Sequence, residues 1–186
     1  MLYEELLKKI AVEFSEQKIP YMIIGGMAVG VHGEERFTRD IDITLGCDIN
    51  ELDKILSSLK KLNLVSKVEN VKDFVSKSLS LPTTEINTNQ DVDFIFSFID
   101  FELDAIRDGE KIIIEGVSVN FISKENLVVL KLFAGRPQDL ADARSVILKN
   151  EDLKIDEIKK KLEYVQSFEQ QNLIGEFEKI LNDIKK

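Results

Sequence analysis

Tyr21-Met22-Ile23-Ile24-Gly25-Gly26-Met27-Ala28-Val29, followed by Arg39-Asp40-Ile41-Asp42-Ile43-Thr44-Leu45, is the part of the sequence on which the fold turns. Pro20 marks a stop before it. The apolar run Tyr21 to Ile24 predicts a short buried strand, Gly25-Gly26 a tight turn, and Met27 to His32 the first turns of a helix that Gly33 ends. Ile41, Ile43 and Leu45 alternate with Asp40, Asp42 and Thr44, which predicts a half-buried strand. Strand residues i and i+2 point to the same face. Asp40 and Asp42 therefore project together, and two like charges held so close repel unless a metal or a proton intervenes.

Outward from this stretch, Leu2, Leu6, Leu7, Ile10, Ala11 and Phe14 have helical spacing over residues 2–17. Asp48 or Asn50 can cap a helix over 51–62, whose apolar stripe is Leu52, Ile55, Leu56 and Leu59. Val71 to Val75 and Leu79 to Ile86 read as strands, Asp91 to Phe96 as a clear strand, and residues 100–107 as a short helix. Lys111–Glu115 and Val117–Phe121 flank Gly116 as a hairpin. Ser123 opens a helix that runs to Ala134 and ends at Gly135. Another follows Pro137, and residues 152–186 predict one or two amphipathic helices. The expected architecture is α/β (α+β): a mixed-sheet core over 1–122, flanked by helices, and a helical C-terminal extension over 123–186 packed on it.

Composition bounds the chemistry. The chain has 186 residues, 44% apolar and 32% charged, with a formal net charge of −9. That charge argues against a whole-surface affinity for nucleic acid, although not against a local basic patch. One cysteine, Cys47, and one histidine, His32, are too few for a four-ligand structural zinc site. A metal here has to be hard and oxygen-bound, such as Mg2+ or Mn2+. The single cysteine and an acidic, amphipathic start without a signal-peptide core suggest a cytoplasmic protein, and no apolar run approaches the roughly 20 residues that cross a bilayer. His32 reads as a packing or capping residue and Cys47 as core filler.

Taken alone, Asp-x-Asp is more often a solvated strand edge than a metal site. Its company changes the weighing. Gly25-Gly26 lets backbone N–H groups approach a phosphate at a helix N-terminus. The thirteen residues 27–39 leave room for one helix and a return to the sheet. On the later strand, Val92, Phe94 and Phe96 share one face, and Asp91 and Asp93 the other. Asp93, deeper in the strand, is preferred to Asp91 as a third carboxylate, either as general base or as a further metal ligand.

Ile24-Gly25-Gly26, the spacer, Asp40-Ile41-Asp42 and the later strand aspartate resemble the DNA polymerase beta-type nucleotidyltransferase superfamily. The fuller run through His32-Gly33, Arg36 and Thr38, with Leu130-Lys131-Leu132-Phe133-Ala134-Gly135-Arg136-Pro137-Gln138-Asp139-Leu140-Ala141-Asp142, resembles small prokaryotic members related to AbiEii-type toxins and minimal nucleotidyltransferases. Gln138 departs from that pattern, standing where a basic residue often precedes the aspartate.

The resemblance implies transfer of a nucleoside monophosphate from an NTP to an acceptor hydroxyl on RNA, protein or a small molecule, with pyrophosphate released. It implies Gly25 and Gly26 around the triphosphate, and Asp40, Asp42 and Asp93 around magnesium or manganese. A toxin-like role with an antitoxin-like protein partner belongs to the same implication. Arg36, Arg39, Lys131 and Arg136 are expected to neutralise triphosphate charge, and Asp139 joins them in the nucleotide-binding set. The local alternative keeps Asp139 as a helix cap and pairs Asp142 with Arg136 or Arg144. Two other classes compete: a non-catalytic nucleotide-binding or interaction module of the same fold, and a phosphate-ester hydrolase, which usually adds histidines.

Overall fold

The computed structural model describes residues 2–97, 99–168 and 172–184. The side chain of Leu2, counted in the first helical stripe, and residues 169–171, 185 and 186, counted in the C-terminal helical stretch, lie outside the described set. The chain forms two compact units: 1–27 with 37–122, and 28–36 with 123–186.

The first unit contains one mixed seven-stranded sheet. Its strands are β1 (Tyr21–Ile23), β2 (Asp40–Leu45), β3 (Leu64–Ser66), β4 (Ser80–Glu85), β5 (Gln90–Phe96), β6 (Glu110–Ile114) and β7 (Val117–Phe121), in the order β3-β4-β5-β2-β1-β7-β6. β1 runs antiparallel to β2 and parallel to β7, and β2 runs parallel to β5. That last pairing requires a crossover between β2 and β5. It includes a one-turn 3-10 helix (Ile49–Glu51), which Asp48 caps by accepting from the Asn50 N–H, as well as β3 and β4.

Four helices of this unit are α1 (Leu2–Glu16), α3 (Leu52–Lys61), α4 (Val71–Ser78) and α5 (Asp100–Arg107). Helix α2 (Gly25–His32) begins in this unit and continues into the segment grouped with the second. The core follows the period-2 pattern. Ile41, Ile43 and Leu45 of β2 and Val92, Phe94 and Phe96 of β5 are fully buried, as are Leu7, Ile10 and Phe14 of α1. Phe14 packs edge-on against Tyr21, ring centroids 5.5 Å apart, and tilted against Phe94 at 6.0 Å.

Two local expectations change. Val71 to Val75 is helical, not a strand. Val71, Phe74 and Val75 have the i, i+3, i+4 spacing of a helix, and Asp73 breaks the alternation that a strand would need; only Val75 of α4 is buried. The helix closes at Leu79, which takes a left-handed φ of 53° and donates its N–H to the Val75 carbonyl. Gly25-Gly26 is the first turn of α2 and not a separate turn before it.

The second unit groups the C-terminal helices with residues 28–36. They are α6 (Lys124–Ala134), α7 (Pro137–Lys149), α8 (Ile155–Gln166) and α9 (Leu173–Ile184). Ser123 caps α6 through the Asn126 N–H, and Gly135 ends it with φ +64°. Helix α6 packs on α7, α8 and α9 through Leu127, Val128, Leu132, Val146, Ile158, Leu162 and Phe177, all buried. Segment 28–36 is tied to α7 and the residue after it: Asn150 donates to the His32 carbonyl (2.6 Å) and Lys149 to that of Gly33 (2.7 Å). Among the described residues, no helix is long and apolar enough to cross a membrane.

Candidate active site

The parallel register of β2 and β5 sets Asp40 opposite Asp91 and Asp42 opposite Asp93. Because Ile41 and Val92 turn into the core, the aspartates turn to the other face. Asp40, Asp42 and Asp93 each bring a carboxylate oxygen within 4.8 Å of the others, all three half-buried. Burial, and then the charge of Asp40, push the Asp93 carboxyl above its ordinary value. Thr38 adds a support: its hydroxyl donates toward the Asp40 carboxylate (3.1 Å).

Gly25 adjoins this cluster. The Ile24 N–H bonds the Asp42 carbonyl (2.9 Å), extending the β1–β2 ladder to the helix start. Gly25 then takes φ +63°, which L side chains rarely adopt. A Cβ there would stand 1.9 Å from Asp42 Oδ2. The glycine is thus required twice, by its backbone and by the carboxylate in contact with it. Gly26 follows, buried, in the first turn of α2. Arg39 is exposed just before β2, its carbonyl held by the Gln90 amide at 2.7 Å.

Asp91 lies on the same face as Asp93 but has other partners. Lys67 Nζ donates to its Oδ2 (2.9 Å) and the Thr84 hydroxyl to its Oδ1 (2.5 Å). The Lys67 and Thr84 hydrogen bonds hold the Asp91 carboxyl below its ordinary value. Lys67 escaped the sequence reading because it follows a three-residue strand whose register no local pattern announces.

Arg36, Lys131, Arg136 and Asp139 belong to the second unit, where they form one ion network. Lys131 is buried and donates to Asp139 Oδ1 (2.9 Å) and Asp142 Oδ2 (2.8 Å). Arg36 forks onto Asp142, Nε to Oδ1 at 2.9 Å and Nη2 to Oδ2 at 3.0 Å. Arg136, its side chain largely exposed, pairs with Asp139, and Gln138 donates to Asp142 Oδ1 (3.0 Å). Asp142 therefore pairs with Arg36 and Lys131, where the local alternative expected Arg136 or Arg144. Burial alone would raise both carboxyls, but hydrogen bonds from Arg136 and Lys131 to Asp139, and from Arg36, Lys131 and Gln138 to Asp142, bring them below the ordinary value. Cys47 is buried, which pushes its thiol up to about 12 and leaves it unreactive. His32 is buried in α2.

A mixed sheet with three convergent carboxylates on two adjacent strands, next to a glycine-initiated helix, is the arrangement that the sequence resemblance to nucleotidyltransferases implies. Comparison with known proteins agrees. The chain belongs to the family described as nucleotidyltransferase of unknown function (DUF6036), which matches residues 3–178. It is therefore an enzyme of the nucleotidyltransferase class.

Solved structures share the fold at low identity. The solution structure of the antibiotic-resistance factor ANT(2'')-Ia is 16% identical with a TM-score of 0.60, covering 89% of this chain and 92% of that one. The lincosamide antibiotic adenylyltransferase LnuA, solved with lincomycin bound, is 18% identical with a TM-score of 0.52, covering 76% and 94%. An antigenic nucleotidyltransferase-like protein from Paracoccidioides brasiliensis is 17% identical with a TM-score of 0.55, covering 94% and 91%. No curated protein matches the sequence closely enough to count as a relative.

Proposed function

We propose that this protein transfers a nucleoside monophosphate from an NTP to an acceptor hydroxyl and releases pyrophosphate, with Asp40, Asp42 and Asp93 as its metal-binding and catalytic carboxylates. The observation that carries this reading is the convergence of the three carboxylates within 4.8 Å, at the glycine that a side chain could not replace. The donor set fits a hard divalent cation: three carboxylate oxygens, with neither sulfur nor imidazole among them. Mg2+ or Mn2+ bound there would neutralise phosphate charge and stabilise the attacking and leaving oxygens.

The chain's own residues do the rest. Gly25 and Gly26 present the start of α2 to the triphosphate, where helix N–H groups favour negative charge. Arg39 adds a cation on the β2 side. Asp93, on the strand next to the Asp40 and Asp42 carboxylates, accepts the proton of the acceptor hydroxyl. Thr38 fixes the direction of the Asp40 carboxylate. The nucleotide-binding roles of Arg36, Lys131, Arg136 and Asp139 enter the proposal from the family resemblance, and their shared ion pairs make those roles interdependent.

A small-molecule hydroxyl is the acceptor the observations favour. The net charge of −9 disfavours a large polyanion, and two proteins of similar fold are described with antibiotics. A toxin-like role with an antitoxin partner, and a cytoplasmic location, stay with the sequence expectations. The test is incubation with each NTP, labelled at the α-phosphate, Mg2+ and fractionated cell extract. Label in the small-molecule fraction supports the reading. Label in RNA or protein reassigns the acceptor, and no label with any NTP refutes the activity.

A further inference from the structure

Four aspartates share one face of β2 and β5, yet only three converge. The fourth, Asp91, is two residues from Asp93 on the same face and directly across from Asp40. The register sets it beside the cluster, and its hydrogen bonds run to other partners. Oδ1 accepts from Thr84, the residue opposite it on β4, and Oδ2 accepts from Lys67. Lys67 is itself anchored, since its backbone N–H bonds the Pro82 carbonyl at 2.9 Å. The ion pair is half-exposed, with the Lys67 and Asp91 side chains 44% and 40% accessible. Pairs so exposed add little to folding stability. Its consequence is local: each oxygen of Asp91 is directed at a donor, one on β4 and one just after β3, and its charge is balanced next to the other three.

We propose that Lys67 is a positioning residue of the carboxylate site, which by holding Asp91 against Thr84 keeps a fourth carboxylate from ligating the metal. The inference rests on the metal-site reading above. Thr84 anchors one oxygen of Asp91; Lys67 anchors the other and supplies the balancing charge. Without it, the Asp91 carboxylate beside Asp93 can turn about its one remaining anchor and carries an unbalanced charge, which a divalent cation attracts. A cation with an extra protein ligand keeps fewer positions for water and for phosphate oxygens.

The test measures Mn2+ binding to the full chain by electron paramagnetic resonance, and counts Mn2+-bound waters by proton relaxation. Lys67→Met should bind Mn2+ three- to tenfold more tightly and lose one bound water. Lys67→Arg, which can still hold Asp91, and the double variant Lys67→Met/Asp91→Asn should both retain the wild-type water count. A Lys67→Met water count equal to wild type, with or without a change in affinity, overturns the proposal while leaving the metal site standing. A wild-type protein that binds no Mn2+ overturns the metal site and this proposal together.

Discussion

Replacing Gly25 with alanine separates the demands of the site from those of the fold. The added Cβ would lie 1.9 Å from Asp42 Oδ2, 2.7 Å from its Cγ and 2.9 Å from its Cβ. Ordinary contact begins near 3.4 Å, so the carboxylate oxygen has to move by 3.4 − 1.9 = 1.5 Å. Rotation about the Asp42 side chain can move Oδ2 and Cγ but not Cβ, so β2 or the start of α2 must also shift by a few tenths of an ångström. Alanine further takes on a left-handed conformation costing about 1–2 kcal/mol. Stability should fall by about that much, lowering Tm by about 2–8 °C in a chain of this size. Catalysis should suffer more, because a misplacement of about 1 Å can cost about 100-fold. The assay is pyrophosphate release with Mg-NTP and acceptor, beside a thermal melt. Gly25→Ala with activity within threefold of wild type would refute the steric argument. A variant that fails to fold would refute the claim that the strain is local.

Three further outcomes are expected. In EDTA, the raised Asp93 carboxyl binds its proton more tightly in the folded than in the unfolded state, so its ionisation removes stability as pH rises from the ordinary aspartate range through the raised value. Melts of wild type and Asp93→Asn across that range should diverge in favour of the variant; parallel curves would show that Asp93 ionises without penalty. Lys131→Met leaves Asp139 and Asp142 buried without their shared cation and should cost about 3–5 kcal/mol in urea unfolding; a loss below about 1 kcal/mol would mean that the arginines suffice. Cys47 should resist alkylation at pH 8 in the native protein and react after denaturation, whereas equal rates would contradict its burial.

How far the sequence revealed these features depended on the range of the interaction. The strands bearing Asp40, Asp42 and Asp93 were legible because Ile41, Ile43, Val92 and Phe94 alternate cleanly with them. The helix over 100–107 and the Ser123 and Gly135 caps were legible because capping and periodicity are local. Val71 to Val75 misled because a five-residue stretch with β-branched ends and an aromatic residue is too short for periodicity to separate a strand from a helix turn. The β2–β5 register, which brings Asp42 beside Asp93, is set by packing of distant segments. So are the pairings of Lys67 with Asp91 and of Arg36 with Asp142, 24 and 106 residues apart. Depth in the strand separates Asp93 from Asp91 in the sequence; the hydrogen-bond partners of Asp91 come from β4 and from the residue after β3, which no local pattern shows.

In the proposed reaction, Asp40 and Asp42 hold the metal that nucleotide transfer needs. The direct measurement is label transfer from an α-labelled Mg-NTP by wild type and by the double variant Asp40→Asn/Asp42→Asn, with circular dichroism and thermal melts to show that both fold. The expected result is a folded variant with no detectable transfer and no Mg-NTP-dependent rise in Tm. Wild-type transfer by the folded double variant would contradict it.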